Sequence, residues 1–368
     1  MPQKIFKPAH SSVEDLVPYQ TGKPIEEVAR EKGLSKIVKL ASNENPLGMS
    51  DRALEAMRRA AADVNRYPDG GTYVLKKLVA DRHGVPDGNI VLGNGSNEIL
   101  ELLTQLLLGN GDETLYAWPA FIVYRLATLA HGSRGVEVPL DKELRHDLGA
   151  MRDAITSRTR IVFIANPNNP TGTYVNGTQL EDFIAALPPH VLLVLDEAYF
   201  EYAAGLDGFP DGVELFKEGR PIVVTRTFSK AFGLAGLRVG YAVMPEPLVQ
   251  LINRIRQPFN VNSVAQAAAA AALEDEEFIQ RAVQLNRAEM DRLSRALEDI
   301  GLMTTPSAAN FLLIHLAGRD GGEVYNGLLD RGVIVRPMAG YGLPQTIRVT
   351  IGLPEENDIF FKALMEIL

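Results

Sequence analysis

Val191-Leu192-Leu193-Val194-Leu195-Asp196-Glu197-Ala198-Tyr199 sets two carboxylates directly behind five consecutive apolar residues. A run this short and this continuously apolar reads as a strand covered on both faces, as in a parallel sheet flanked by helices. Strand candidates of similar character lie at 89–92, 160–165, 221–225 and 239–243. Helical stretches such as 97–108 and 178–186 fall between them. Repeated strand–helix alternation implies an α/β fold with a mostly parallel sheet. Ligands of such sheets bind beyond the carboxyl ends of the strands, so the residues that follow each strand are the first candidates for a site.

Four such junctions carry chemistry. After the first run, a carboxylate at the end of a buried strand is costly unless paired. Asp196 would be satisfied by a protonated pyridine nitrogen, whose charge it would preserve so that the ring draws electrons. Tyr199 stands three residues on, in reach of a phenolic oxygen of the same ring. A magnesium-binding carboxylate and a buried salt bridge are the plainer readings of this pair, and the missing GxxxxGK[ST] motif argues against a nucleotide triphosphatase. Thr227-Phe228-Ser229-Lys230, followed by Gly233, Gly236 and Arg238, supplies a lysine able to form a Schiff base with an aldehyde cofactor. Ser229 and Arg238 offer a hydroxyl and a guanidinium suited to one phosphate. A surface lysine in a glycine-rich loop is the alternative. Asn166-Pro167-Asn168-Asn169-Pro170-Thr171-Gly172 reads as a rigid turn with Asn169 as a donor to the phenolic oxygen, or as a turn and nothing more. Gly93-Asn94-Gly95-Ser96-Asn97-Glu98 opens a helix whose backbone N–H groups would hold an anion. It does not match GxGxxG, since Glu98 stands where the third glycine belongs, and a monophosphate fits better than a dinucleotide.

Composition bounds the rest. The chain has 368 residues, a net charge of −9 and no cysteine. Disulfides and thiolate metal sites are therefore excluded. The acidic balance and the absence of a Lys/Arg run argue against nucleic acid as a partner. Residues 1–10 hold no apolar run of signal-peptide length and no segment is long enough to cross a membrane, so the expectation is a cytoplasmic protein. The six histidines have no metal-ligand spacing, and each reads as structural or solvated. Three regions are expected: an N-terminal arm with a short helix over residues 1–36, a large α/β domain over 37–257, and a smaller α/β domain over 258–368. Within the last, 265–300 reads as one long helix that begins with an alanine run. Strands are expected at 311–316, 333–336 and 347–351, and a final helix at 355–368.

Taken together, the four junctions resemble in order and spacing the fold-type-I aminotransferases, which use pyridoxal phosphate. The segments Lys39-Leu40-Ala41-Ser42-Asn43-Glu44-Asn45-Pro46-Leu47-Gly48, Arg66-Tyr67-Pro68-Asp69-Gly70, Gly332-Val333-Ile334-Val335-Arg336-Pro337 and Thr346-Ile347-Arg348-Val349-Thr350-Ile351-Gly352 are similar to the histidinol-phosphate aminotransferase family. The resemblance covers almost the whole chain. It implies a large, mostly parallel seven-stranded sheet domain flanked by helices, a smaller C-terminal α/β domain, and a homodimer.

It also implies roles. Lys230 would carry the cofactor and move the proton, Asp196 would pair the pyridine nitrogen, and Tyr199 and Asn169 would hold the ring oxygen. Ser229, Arg238, Ser96 and Asn97 would hold the phosphate, with Tyr67 reaching it from the second subunit. Phe121, in Trp118-Pro119-Ala120-Phe121 where the family more often has Pro-Thr-aromatic, would stack on the ring. Arg336 and Arg348, with Tyr19 and Asn43, would bind a phosphorylated amine substrate and, in the other half-reaction, glutamate or 2-oxoglutarate. Bidentate guanidinium groups suit both anions. Threonine-phosphate decarboxylase and aromatic-amino-acid aminotransferase share these cofactor motifs and stay open as alternatives. A regulator using the fold as a ligand sensor would need a DNA-binding module ahead of it, and the 36 or so preceding residues are not basic.

Overall fold

The computed structural model describes residues 10–16, 18 and 22–368; Tyr19 lies outside them. Among the described residues, thirteen strands form three sheets. The large sheet contains β2 (Ile90–Gly93), β3 (Glu113–Trp118), β4 (Arg134–Pro139), β5 (Thr159–Ala165), β6 (Leu192–Asp196), β7 (Ile222–Thr227) and β8 (Gly240–Val243) in the order β2-β8-β7-β6-β5-β3-β4. The run β7-β6-β5-β3-β4 is parallel, while β8 is antiparallel to both its neighbours. Both faces are apolar. Leu193 and Leu195 of β6 enter one hydrophobic cluster and Val194 another, which is why the strand reads as continuously apolar.

Strands β3 and β4 were not among the sequence candidates. Strand β4 lies at the sheet edge and exposes Arg134, Glu137 and Pro139, so it lacks an apolar run. Strand β3 opens with the buried polar residues Glu113 and Thr114. Glu113 accepts Nη2 of Arg158 at 2.7 Å and Oγ1 of Thr156 at 2.8 Å.

A four-stranded antiparallel sheet holds β9 (Met303–Thr305), β10 (Phe311–His315), β12 (Arg336–Pro337) and β13 (Thr346–Thr350), ordered β12-β13-β10-β9. A separate parallel pair joins β1 (Val38–Lys39) to β11 (Val333–Ile334). The segment 333–336, expected as one strand, is thus divided between two sheets, with Val335 between them.

The single helix expected over 265–300 is two helices, Ser263–Leu273 and Glu276–Asp299. Asp275 ends the continuity because its side chain accepts the N–H of Phe278 and caps the second helix. The alanine run packs against helix Asp51–Ala61, where small side chains permit close approach. The second helix contributes Phe278 and Ile279 to the core under the large sheet, and Leu293 and Leu297 to that of the four-stranded sheet.

Candidate active site

Strands β5, β6 and β7 end side by side, and their carboxyl ends open into a pocket of about 250 Å³. Asp196 is the last residue of β6 and is buried. Its Oδ2 accepts the hydroxyl of Tyr124 at 2.8 Å and its Oδ1 that of Thr225 at 3.0 Å. Both donors are neutral, and among the described residues no salt-bridge partner reaches it. Burial raises its pKa, with the two hydroxyls opposing the shift. Tyr124 is held by a stacked contact with Phe163 at 4.7 Å between ring centroids and an edge contact with Phe121 at 5.8 Å. Phe121 lines the pocket.

Lys230, three residues beyond β7, is half-buried in the same pocket, and its Nζ donates to the carbonyl of Ser42 at 3.2 Å. Burial, together with the nearby Arg348 guanidinium, lowers its pKa to about 8. Tyr199 is buried on the wall, where burial pushes its phenol up to about 12.

A helix start, a hydroxyl and a guanidinium line one side. Ser96 and Asn97 begin helix Ser96–Leu107, whose first turn presents backbone N–H groups. The turn is tight. A Cβ on Gly240 would fall 2.5 Å from the Ser96 nitrogen, and one on Gly95 would fall 2.7 Å from Nη2 of Arg238. Arg238 adopts a left-handed backbone at φ 57 and sends Nη1 to within 3.4 Å of Ser229 Oγ. A helix start, a hydroxyl and a guanidinium therefore converge, which suits a phosphate.

On the other side, Arg348 of β13 enters the pocket, donating to the carbonyl of Ala41 at 2.9 Å and to Oδ1 of Asn169. Arg336 stands directly opposite Arg348 in the β12–β13 register but does not line the pocket. Two arginines opposed across an antiparallel pair repel unless an anion lies near. Asn43, buried at φ 55, hydrogen-bonds Tyr199 and Thr350. Tyr67 is outside the pocket, 84% exposed and stacked on Phe259 at 4.8 Å.

Eleven of the fourteen sequence candidates thus share one pocket: Lys230, Asp196 and Tyr199; Ser96, Asn97, Ser229 and Arg238; and Phe121, Asn169, Asn43 and Arg348. The pocket also includes Tyr341, which the sequence did not single out and which stacks on Trp118 at 5.5 Å. Tyr124 and Thr225 were likewise missed. Tyr124 stands three residues after Phe121, whose carbonyl accepts the Tyr124 N–H in the turn that leads into helix Val123–Ala130.

The pocket fits pyridoxal phosphate on three observations made within the chain. Among the described residues a buried carboxylate has no salt-bridge partner, a lysine has a depressed pKa, and Arg238, Ser229 and a helix start converge in a corner that suits a phosphate.

Comparison with known proteins agrees. The profile described as aminotransferase class I and II matches residues 35–364. The chain is 50% identical to histidinol-phosphate aminotransferase 2 of Pseudomonas aeruginosa over 362 residues, covering 98% of this chain and 97% of that one. It is 52% identical to histidinol-phosphate aminotransferase 1 of Cupriavidus pinatubonensis over 356 residues, covering 96% and 94%. Among solved structures, histidinol-phosphate aminotransferase of Sinorhizobium meliloti in complex with pyridoxal-5'-phosphate superposes with a TM-score of 0.90 at 30% identity, covering 99% and 98%. Aspartate aminotransferase of Thermus thermophilus with maleate shares the fold, with a TM-score of 0.85 at 23% identity over 99% of this chain and 100% of that one.

Proposed function

The chain belongs to the aminotransferase class I and II family, and on that premise we infer that it moves an amino group between histidinol phosphate and 2-oxoglutarate with pyridoxal phosphate as cofactor. The observation that carries the reading is Asp196: a buried carboxylate that faces Lys230's pocket with only neutral donors of its own. Relatives of about 50% identity over nearly the full length support the substrate.

Lys230 would hold the cofactor, and its depressed pKa suits an amine that must act as nucleophile and base near neutral pH. Asp196 would keep the ring nitrogen protonated. Tyr199 and Asn169 would serve the ring oxygen, and Phe121 would cover the ring face. Arg238, Ser229 and the first turn of helix Ser96–Leu107, with Ser96 and Asn97, would hold the phosphate. Bound there, pyridoxal phosphate supplies the carbonyl carbon that exchanges amino groups and a cationic ring that draws electrons from the substrate. Arg348, with Arg336 opposite it, would take the anionic end of the substrate. Lys230 Nζ would then be the group that takes up and returns the proton within the pocket.

The exposed Tyr67–Phe259 pair is the surface we assign to a second copy of the chain, in a homodimer where Tyr67 completes the neighbour's phosphate corner. Mixed Lys230→Ala and Tyr67→Ala subunits should then recover part of the activity that each lacks alone. Among the described residues no helix is long and apolar enough to cross a membrane. The biosynthetic role proposed here is that of a cytoplasmic enzyme.

The test is turnover of histidinol phosphate with 2-oxoglutarate, set beside phosphothreonine and phenylalanine. Preference for phenylalanine, or carbon dioxide release from phosphothreonine, would replace the substrate assignment. Borohydride should fix the cofactor to Lys230, and label on another lysine would overturn the site.

A further inference from the structure

We propose that Asn43 is a positioning residue that fixes the direction of the Tyr199 hydroxyl, so that the phenol's proton is presented to the pocket. The inference deepens the reading above, since it rests on Tyr199 serving the ring oxygen.

The direction follows from counting protons. The backbone N–H of Asn43 donates to Thr350 Oγ1 at 2.9 Å. That hydroxyl keeps its own proton, and Asn43 Oδ1 lies 3.2 Å away to accept it. With the amide oxygen engaged by Thr350, Nδ2 faces Tyr199, 2.9 Å from its hydroxyl oxygen. The network, not the shape of the amide, decides which end points where. An amide N–H only donates, so Tyr199 accepts in this bond and its own proton is directed to another acceptor. Tyr199 lines the pocket. Its phenol, pushed up to about 12 by burial, keeps that proton across the working pH range, so its capacity to donate depends on orientation.

Asn43 is held for this task. It is 1% exposed and adopts φ 55, a left-handed conformation in which asparagine is enriched among non-glycine residues. Asn310 Nδ2 donates to its carbonyl at 3.1 Å. Thr350 stands two residues beyond Arg348 on β13, on the same face of the strand. One side chain thus ties the donor for the ring oxygen to the strand that carries the substrate arginine.

The experiment is a pH titration of the visible absorbance of the holoenzyme, which reads the bound cofactor without turnover. A ring oxygen that loses its donor becomes more basic, so the transition moves to higher pH. Tyr199→Phe should move it most. Asn43→Gly keeps the left-handed backbone while removing the amide. Thr350→Val frees the amide to turn its oxygen toward Tyr199. Each should raise the transition by up to about one pH unit and lower kcat more than it changes KM, with thermal unfolding near wild type. If Asn43→Gly does not fold, Thr350→Val carries the test. A shift in Tyr199→Phe but in neither of the others would overturn the role of Asn43 and leave Tyr199 in place. A transition unmoved in Tyr199→Phe would remove Tyr199 from the ring oxygen and the proposal with it. Loss of thermal stability with no shift would make Asn43 a structural residue and also overturn the proposal.

Discussion

On one face of the large sheet the end of β6 presents Asp196 to two hydroxyls, those of Tyr124 and Thr225. On the other face the next residue, Glu197, takes Nε and Nη2 of Arg226 at 2.9 and 2.7 Å and the backbone N–H of Gly212 at 2.8 Å. Arg226 is itself buried, bonded to Asp211 and seated over Phe200, 3.3 Å from the ring centroid. Strand alternation sends adjacent carboxylates to opposite faces. The side that supplies a guanidinium makes a closed structural pair. The side that supplies only neutral donors leaves a carboxylate whose charge calls for a cation from outside the chain. Burial raises both acids; the Arg226 charge leads the opposition at Glu197, whereas the Tyr124 and Thr225 hydroxyls lead it at Asp196, with the Lys230 charge behind them.

Mutation should separate the two faces. Asp196→Ala should lower kcat by about 10²- to 10³-fold, the scale of losing an electrostatic partner at the reacting centre, while thermal stability holds or rises. Near-normal turnover would make the two carboxylates equivalent and erase the contrast. Glu197→Gln should do the reverse. It leaves Arg226 with less compensation, and breaking a buried pair costs about 3–5 kcal/mol, measured by denaturant unfolding, with kcat of the folded enzyme close to wild type. A large kcat loss without instability would move Glu197 into the chemistry.

Tyr124→Phe sharpens the comparison, because it removes one hydroxyl and keeps the ring and its aromatic neighbours. A hydrogen bond to a charged group is worth about 1.5–3 kcal/mol, so kcat should fall by about 10- to 10²-fold. An unchanged kcat would leave Thr225 as sufficient support.

The smallest effect concerns Lys230. Only the neutral amine attacks an aldehyde, and a pKa near 8 leaves about one tenth of it neutral at pH 7. Capture of pyridoxal phosphate by the apoenzyme should therefore speed up as pH rises toward 8 and level off above it. A rate still climbing beyond pH 10 would mean that Lys230 keeps the ordinary lysine value.

Most of the pocket was legible because its residues follow strands. Asn169, Asp196 and Lys230 each lie within a few residues of the end of an apolar run, and parallel strands bring those ends to one edge. Gly95 and the helix start at Ser96 were legible for the same reason. The division of 333–336 between two sheets was not, since a short apolar run carries no mark of its partner. Nor was the break at Asp275, where a helix-compatible residue acts as a cap.

By itself, then, the sequence determined the alternation of strand and helix, the residues waiting at the strand ends, and the family motifs. That Glu197 closes on Arg226 while Asp196 meets only the hydroxyls of Tyr124 and Thr225 was decided only in three dimensions. So was the direction of the Tyr199 hydroxyl. Tyr124 lies 72 residues from Asp196, Asn43 lies 156 from Tyr199, and Thr350 lies 307 from Asn43. No local periodicity connects positions so far apart. Sheet register and core packing bring them within 2.8–3.2 Å, and at that range the count of donors and acceptors decides which proton points where.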